Sequence, residues 1–290
     1  MGGTMIKQSK RNGLSLVEVL VVLGIIAILL GLIIPAVIKV RGAALRLQSS
    51  NNLRQINLAA LGYASLNQNS FPDIRGFNPH FQTWGNSFYI CLFPFLEQGL
   101  IEKTFLDDFK KGKANSAWVV PLLISPEDPT IEPMQGVASY APNGQFFGDA
   151  PHLTKITDGT TQTILFAERM ACRCGGNTFY YLESDQESFP PNPYGIIRFR
   201  RPSFADFAME DVIPNTKGFP PFSTGSSPGL TFQTNPNAKN CDPRLAQSAN
   251  PTGMLTGMAD GSVRILDKSI SERIYWGLVT PNGGELESTD

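Results

Sequence analysis

The chain opens with a short polar segment that is followed by a long apolar run. Residues 1–12 carry three basic side chains and no acidic one. Between Leu14 and Ile38 the only ionisable side chain is Glu18. An α-helix needs about 20 apolar residues to cross the hydrocarbon core of a bilayer. The pattern therefore predicts a membrane-spanning helix over residues 14–38.

The same helix is expected to continue beyond the apolar run. Residues 36–66 contain no proline, and the polar cluster at 67–72 supplies a stop. One apolar face recurs at helical spacing: Leu53, Ile56, Ala60 and Tyr63. We therefore expect one stem helix over residues 14–66, about 80 Å long at 1.5 Å per residue. Its first half faces lipid or other helices, and its second half packs on a globular head.

Residues 67–290 predict a head of the α+β class, in which the stem packs on an antiparallel sheet with short helices and long loops. Strands are expected at 139–141, 163–169, 179–182, 196–200, 254–259 and 262–266. Helices are expected at 87–98 (broken by Pro94), 101–111 and 269–278 (capped by Ser269 or Ser271). Asp260 and Gly261 favour a two-residue hairpin turn in which both residues have positive φ.

Residues 190–228 are rich in Pro, Gly, Ser and Phe and have few periodic runs. They predict a long loop-rich excursion on the surface of the head. It is either the place where binding specificity resides or an ordered wrap around the sheet, and we slightly favour the wrap.

Composition and charge limit the function. The net charge is −1, with 24 basic and 25 acidic residues, so no overall field favours nucleic acid, and no nucleic-acid partner is expected. The leading cations favour a cytoplasmic N-terminus, but Lys39, Arg41 and Arg46 follow the apolar run and weaken that asymmetry.

The segment from Gly13 to Glu18 (GLSLVE) resembles the cleavage and methylation motif of type IV prepilins and type II secretion pseudopilins. The resemblance implies a leader of residues 1–13, cleavage after Gly13, and methylation of Leu14 by a prepilin peptidase/methyltransferase. Leu14 stands where Phe is usual and keeps the first mature residue apolar. Pro35 falls at mature position 22, where many pilins carry a helix-kinking proline.

Glu18 has two interpretations. A carboxylate in a membrane helix costs several kcal/mol unless it is paired or near the interface. It is either an interfacial side chain that reaches toward water or, as the resemblance implies, a group that pairs with the α-amino group of Leu14 in a neighbouring subunit during assembly. The surrounding motif favours the assembly role.

A second resemblance covers nearly all of the head. The pieces that carry it are 51–56, 94–98, Asp128-Pro129, Ser139-Tyr140, 156–160 and 259–263. Their order is similar to that of the H-x9-D-G family, a domain of unknown function (DUF1559) attached to prepilin-like N-termini. This chain keeps Asp260 and Gly261 of the signature, but Asn250 stands at the position of its histidine. That departure argues against enzymatic chemistry there.

Two further departures concern cysteines. The family carries Cys at the positions of Ser49 and Ser125. Joint replacement is expected if relatives pair these cysteines in a disulfide, because one left alone would be a free thiol. The resemblance thus implies that Ser49 and Ser125 lie within disulfide range, with Cα atoms within about 7 Å.

The chemistry-bearing residues do not form a recognised catalytic pattern. Cys91, Cys172, Cys174 and Cys241 allow three disulfide pairings, or buried thiols, and a metal at Cys172-Arg173-Cys174 is disfavoured. His80 and His152 lie in polar loop contexts, and no nucleophile elbow or phosphate loop is present. Asp158-Gly159 and Asp260-Gly261 are interpreted as turns rather than calcium sites. No catalytic residue, cofactor or metal is predicted.

Three functions remain in order of preference. The first is a pilin-like or pseudopilin-like structural subunit that assembles with other pilin-like subunits through its stem. The second is a membrane-anchored extracytoplasmic module that binds a glycan or a protein and does not polymerise. An exported hydrolase is a distant third. The expected location is the inner (cytoplasmic) membrane, single-pass, with the head periplasmic or extracellular.

Overall fold

A computed structural model describes residues 16–74, 77–78, 83–84, 88–96, 119–131, 136–148, 151–172, 203–205, 231–237, 240–242 and 245–282. The helices are α1 (Leu16–Leu66), α2 (Phe88–Leu92), α3 (Gly144–Phe147) and α4 (Glu272–Val279). The strands are β1 (Phe77–Asn78), β2 (Thr83–Trp84), β3 (Tyr140–Pro142), β4 (Ile164–Glu168), β5 (Gln233–Thr234), β6 (Gln247–Ser248), β7 (Gly253–Met258) and β8 (Val263–Asp267). Residues Met1–Leu45 and Arg46–Asp290 are separate compact units.

Several expectations concern residues outside these ranges. They are Gly13, Leu14, the helix at 101–111, the strands at 179–182 and 196–200, and all of the excursion 190–228 except residues 203–205.

Helix α1 runs without interruption through Pro35 and ends at Leu66, as predicted. Its end is closed by Gln68 and Asn69, which have positive φ angles of 55° and 63°, and by the amide of Asn69, which donates to the carbonyl of Ala64 at 2.8 Å. Among the described residues, α1 is the one helix long and apolar enough to cross a membrane, and none of its most apolar 18-residue window is buried.

The main sheet has the strand order β3-β4-β7-β8, with all neighbours antiparallel. One core cluster joins the second half of α1 to this sheet, with Leu53 and Ile56 packed among Phe166 and Leu255. A second cluster joins residues such as Met254 of β7 to α4. The sheet is therefore covered by helices on both faces, which confirms the α+β class.

Most of the short elements of the head agree with those predicted from the sequence. The helix broken at Pro94 is α2 followed by a 3-10 turn at Phe93–Leu96, and Ser271 caps α4 by accepting from the amide of Ile274. Directly after β3 the short helix α3 begins, because the side chain of Asn143 accepts from the amide of Gln145 and caps the helix.

The β7–β8 hairpin differs from the predicted two-residue turn. Gly261 has a φ of +87°, but Asp260 is not in the positive region. The amide of Met258 donates to Ser262, and the amide of Gly261 donates to Met258, so three residues form the loop. A three-residue loop needs only one left-handed residue, which glycine supplies.

Candidate functional site

The first part of α1 presents a surface that is apolar between Glu18 and Lys39. Every side chain from Leu16 to Ala44 is exposed. Glu18 lies in the first turn and is the one acidic residue of the helix. Pro35 lies in the helix interior. Such a surface is suited to lipid or to other apolar helices, because exposing apolar side chains to water is unfavourable.

A partly buried ion-pair cluster lies within the second compact unit. The Nη1 atom of Arg46 lies 2.9 Å from Oε2 of Glu127 and 3.0 Å from Oε2 of Glu168. The side-chain exposures of these residues are 14%, 13% and 5%, respectively. Nη2 of Arg46 also donates to the carbonyl of Gly253 at 3.1 Å. We call Arg46, Glu127 and Glu168 the Arg46 cluster; it joins α1 to β4, to β7 and to the loop at 127.

Glu168 is the most enclosed member of the Arg46 cluster. Its carboxylate also accepts from the hydroxyls of Ser49 (3.2 Å) and Ser248 (2.8 Å) and from the amide of Leu255 (2.8 Å). Burial raises the pKa of Glu168, and the charge of Arg46 and these hydrogen bonds oppose the rise only in part. Burial likewise raises the pKa of the neighbouring Tyr140 hydroxyl. The cluster is therefore a hydrogen-bonded network that links α1 to the main sheet.

All three departures from the family pattern adjoin the Arg46 cluster. The hydroxyls of Ser49 and Ser125 lie 3.0 Å apart, so these two side chains meet as expected. The amide of Glu127 donates to the Ser125 hydroxyl at 3.3 Å. Nδ2 of Asn250 donates to Oε1 of Glu127 at 3.3 Å. Positions 49, 125 and 250 are therefore neighbours in one polar network.

The sequence pattern did not identify the Arg46 cluster. Arg46 is separated from Glu127 and Glu168 by 81 and 122 positions in the chain. Arginine and glutamate are usually exposed residues, so none of the three suggests a buried contact. The joint change at positions 49 and 125 was the one available signal, and it pointed to the right region.

Asp260 and Gly261 lie at the other end of β7 from Asn250. Strand β7 spans about 20 Å at 3.3 Å per residue, so the signature positions are not brought together. Slight burial tends to raise the pKa of Asp260, but hydrogen bonds from the hydroxyl and amide of Ser262 outweigh it and lower the pKa. A Cβ added at Gly261 would lie 3.3 Å from side-chain carbons of Leu58 and Leu61 of α1. This pair therefore forms a turn that packs on the helix.

The remaining candidates are dispersed. Cys91 and Cys172 carry thiols, whereas Cys241 is disulfide-bonded. Nδ1 of His152 accepts from the amide of Thr154 and Nε2 contacts the carbonyl of Gln68, which fixes the loop after α1. Within the described ranges, no three His, Cys, Asp or Glu side chains are grouped so as to hold a metal ion.

Comparison with known proteins agrees with both resemblances. A family model described as "Protein of unknown function (DUF1559)" matches residues 39–154 and 135–273. A model described as "Prokaryotic N-terminal methylation motif" matches residues 8–34. No curated protein and no solved structure matches the chain. The two models together span the apolar run and most of the head.

Proposed function

Because the chain belongs to the DUF1559 family and carries the prokaryotic N-terminal methylation motif, we propose that it is a pilin-like structural subunit of the cell envelope. A prepilin peptidase/methyltransferase cleaves it after Gly13 and methylates Leu14. Residues 14–38 then hold it in the inner membrane by a single span, with the head periplasmic or extracellular. The methylation motif at 8–34 is the observation that carries this proposal.

Assembly with other pilin-like subunits proceeds through the exposed apolar part of α1. Inside a fibre or pseudopilus, neighbouring apolar helices replace lipid around the apolar side chains from Leu16 to Ile38, all of which are exposed. If the helix extends back to Leu14 in the mature protein, Glu18 lies about 6 Å along it at 1.5 Å per residue. A neighbour shifted by about one helical turn therefore brings its new α-amino group to Glu18, and the pair neutralises two charges in an apolar setting.

A structural rather than catalytic role fits the head. The Arg46 cluster is partly buried, and the buried carboxylate of Glu168 accepts hydrogen bonds from several sides. A general acid or base must reach its substrate directly or through one water molecule. The cluster instead fixes the position of α1 against the sheet, which is what a subunit needs if its stem is to position its head.

The N-terminus of the mature protein tests processing. Mass spectrometry of protein purified from membranes should find a chain that begins with methylated Leu14. Gly13→Asp should leave the leader attached, and Gly3→Asp, the same change away from the cleavage position, should be processed normally. An intact Met1 in the wild type, or cleavage elsewhere, would remove the main support for the proposal.

Assembly is tested separately at Glu18. Glu18→Gln keeps the size of the side chain and removes its charge, so it should be cleaved and methylated yet lose fibres and stem-to-stem photo-crosslinks. Val19→Ala, at an exposed position beside it, should retain them. A methylated wild type that never crosslinks to itself would favour the alternative, a membrane-anchored module that binds a glycan or protein without polymerising.

A further inference from the structure

Two cations follow the apolar run of α1 and have no acid near them on the helix. Lys39 and Arg41 are both exposed. After Glu18 the next acidic residue in the chain is Asp73, beyond the end of α1. Among the described residues, the ion pairs are those that Arg46 makes with Glu127 and Glu168. Arg46 is thus engaged within the head, whereas Lys39 and Arg41 are available to another partner.

The length of the helix fixes the depth of these two cations. If the helix extends back to Leu14, Lys39 lies about 37 Å and Arg41 about 40 Å along it at 1.5 Å per residue. The hydrocarbon core is about 30 Å thick, and a bilayer with its headgroups about 40–45 Å. If Leu14 stands in the inner headgroup layer, about 5 Å below the core, the two cations lie about 32 Å and 35 Å above the inner edge of the core. Both are then within the outer headgroup layer, and a tilt of about 20° keeps them there.

We propose that Lys39 and Arg41 bind the phosphate groups of anionic lipids in the outer leaflet before the subunit enters a fibre. The interaction rests on the proposed function, since it requires the 14–38 span. The two side chains leave the helix about 200° apart, so they contact separate lipids on opposite sides of it. Their attraction to an anionic surface adds to the apolar anchor and retains the subunit at a fixed depth until assembly.

Native mass spectrometry of the full-length processed protein tests the lipid site. Protein released from mixed micelles of phosphatidylglycerol and phosphatidylcholine should retain phosphatidylglycerol preferentially. Lys39→Gln/Arg41→Gln should lower that preference about 25-fold, as expected for two basic residues. Arg54→Gln, which removes an exposed cation about 60 Å from Leu14, should leave it unchanged. Lys39→Arg/Arg41→Lys should keep it.

Other outcomes would overturn the site. Equal retention of both lipids by the wild type, or an unchanged preference in the double Gln variant, would contradict it. Loss of the preference on adding inorganic phosphate would show a free-phosphate site instead of a headgroup site. These results are independent of the processing test, because a subunit with methylated Leu14 and no lipid preference would refute the lipid site and leave the proposed function standing.

Discussion

The guanidinium Nη1 of Arg46 lies 3.0 Å from both carboxylate oxygens of Glu168, although 122 positions separate the two residues in the chain. Arg46 lies on α1, and Glu168 is the last residue of β4, an inner strand of the main sheet. The same Nη1 atom lies 2.9 Å from a second carboxylate, that of Glu127. One cation therefore balances two acids where the helix meets the sheet.

Replacing Arg46 should destabilise the head strongly. Arg46→Met keeps the apolar stem of the side chain but leaves two carboxylates without a cation, and breaking a buried pair in this way costs about 3–5 kcal/mol. Urea unfolding of the detergent-solubilised protein, followed by tryptophan fluorescence, measures the change. Arg54→Met, at an exposed position of the same helix, should stay within about 0.5 kcal/mol of the wild type. Equal stability of both variants would contradict the role given to the Arg46 cluster.

The stability of the head should depend on pH through Glu168. Its pKa is raised in the folded state above the ordinary value of 4.5 by burial. The folded protein thus holds this proton more tightly than the unfolded chain. The contribution is fully present below the unfolded pKa and is lost as pH rises through the folded pKa. As pH rises above about 4.5, the free energy of unfolding should therefore fall more steeply in the wild type than in Glu168→Gln.

Asp260 provides the control of opposite sign. Hydrogen bonds from Ser262 lower the pKa of Asp260 despite slight burial, so its contribution is present above the unfolded pKa and is lost as pH falls through the folded one. Asp260→Asn should weaken acid destabilisation and leave the Glu168 effect unchanged. If the free energy of unfolding changed equally with pH in the wild type and in Glu168→Gln, Glu168 would have the same pKa in the folded and unfolded states. That result would contradict the prediction made for Glu168.

The contact of Ser49 with Ser125 predicts that a disulfide can be introduced. In Ser49→Cys/Ser125→Cys the thiols would replace hydroxyls that lie 3.0 Å apart, and the bond would close a loop of 76 positions. Chain entropy would then add up to about 4 kcal/mol of stability. Alkylation and intact mass with and without reductant measure the bond. Ser49→Cys alone should add one reactive thiol, and two added thiols that persist in the oxidised double variant would contradict the geometry.

Local patterns predicted much of the fold, whereas contacts between distant residues did not follow from them. The end of α1 at Leu66 and the strand over 164–168 could be predicted because capping and periodicity act over a few residues. The hairpin at Asp260-Gly261 was placed correctly, but its turn type was wrong because one glycine allows a three-residue loop as well. The Arg46 cluster depends on the packing of α1 against the sheet, which no local pattern encodes.

Gly257 should tolerate no side chain. A Cβ added there would lie 2.5 Å from Nδ2 of Asn57, which is buried on α1 and donates to the carbonyls of Met258 and Ser262. Gly257→Ala should therefore displace the helix from β7 and destabilise the head by about 1–3 kcal/mol. Gly42→Ala, on an open surface of α1, should be neutral or stabilising. Thermal unfolding measures both, and a Gly257→Ala variant as stable as the wild type would contradict the close approach.

The leader should set the orientation of the span. Residues 1–12 carry three cations and residues 39–46 carry another three, so charge is nearly balanced across the apolar run until the leader is removed. Replacing Lys7, Lys10 and Arg11 by Gln leaves the excess of positive charge on the outer side of the membrane, which the positive-inside rule disfavours. The fraction of the protein that carries methylated Leu14, measured by mass spectrometry, should then fall sharply.

A compensating variant separates orientation from a direct effect on the peptidase. Adding Lys39→Gln/Arg41→Gln to the neutralised leader restores the balance without touching Arg46, so processing should recover. Neutralising the exposed Lys268 and Arg273 of the head instead removes the same two charges and should not rescue it. If the compensating change fails while the protein still inserts, the leader cations act on the peptidase rather than on topology.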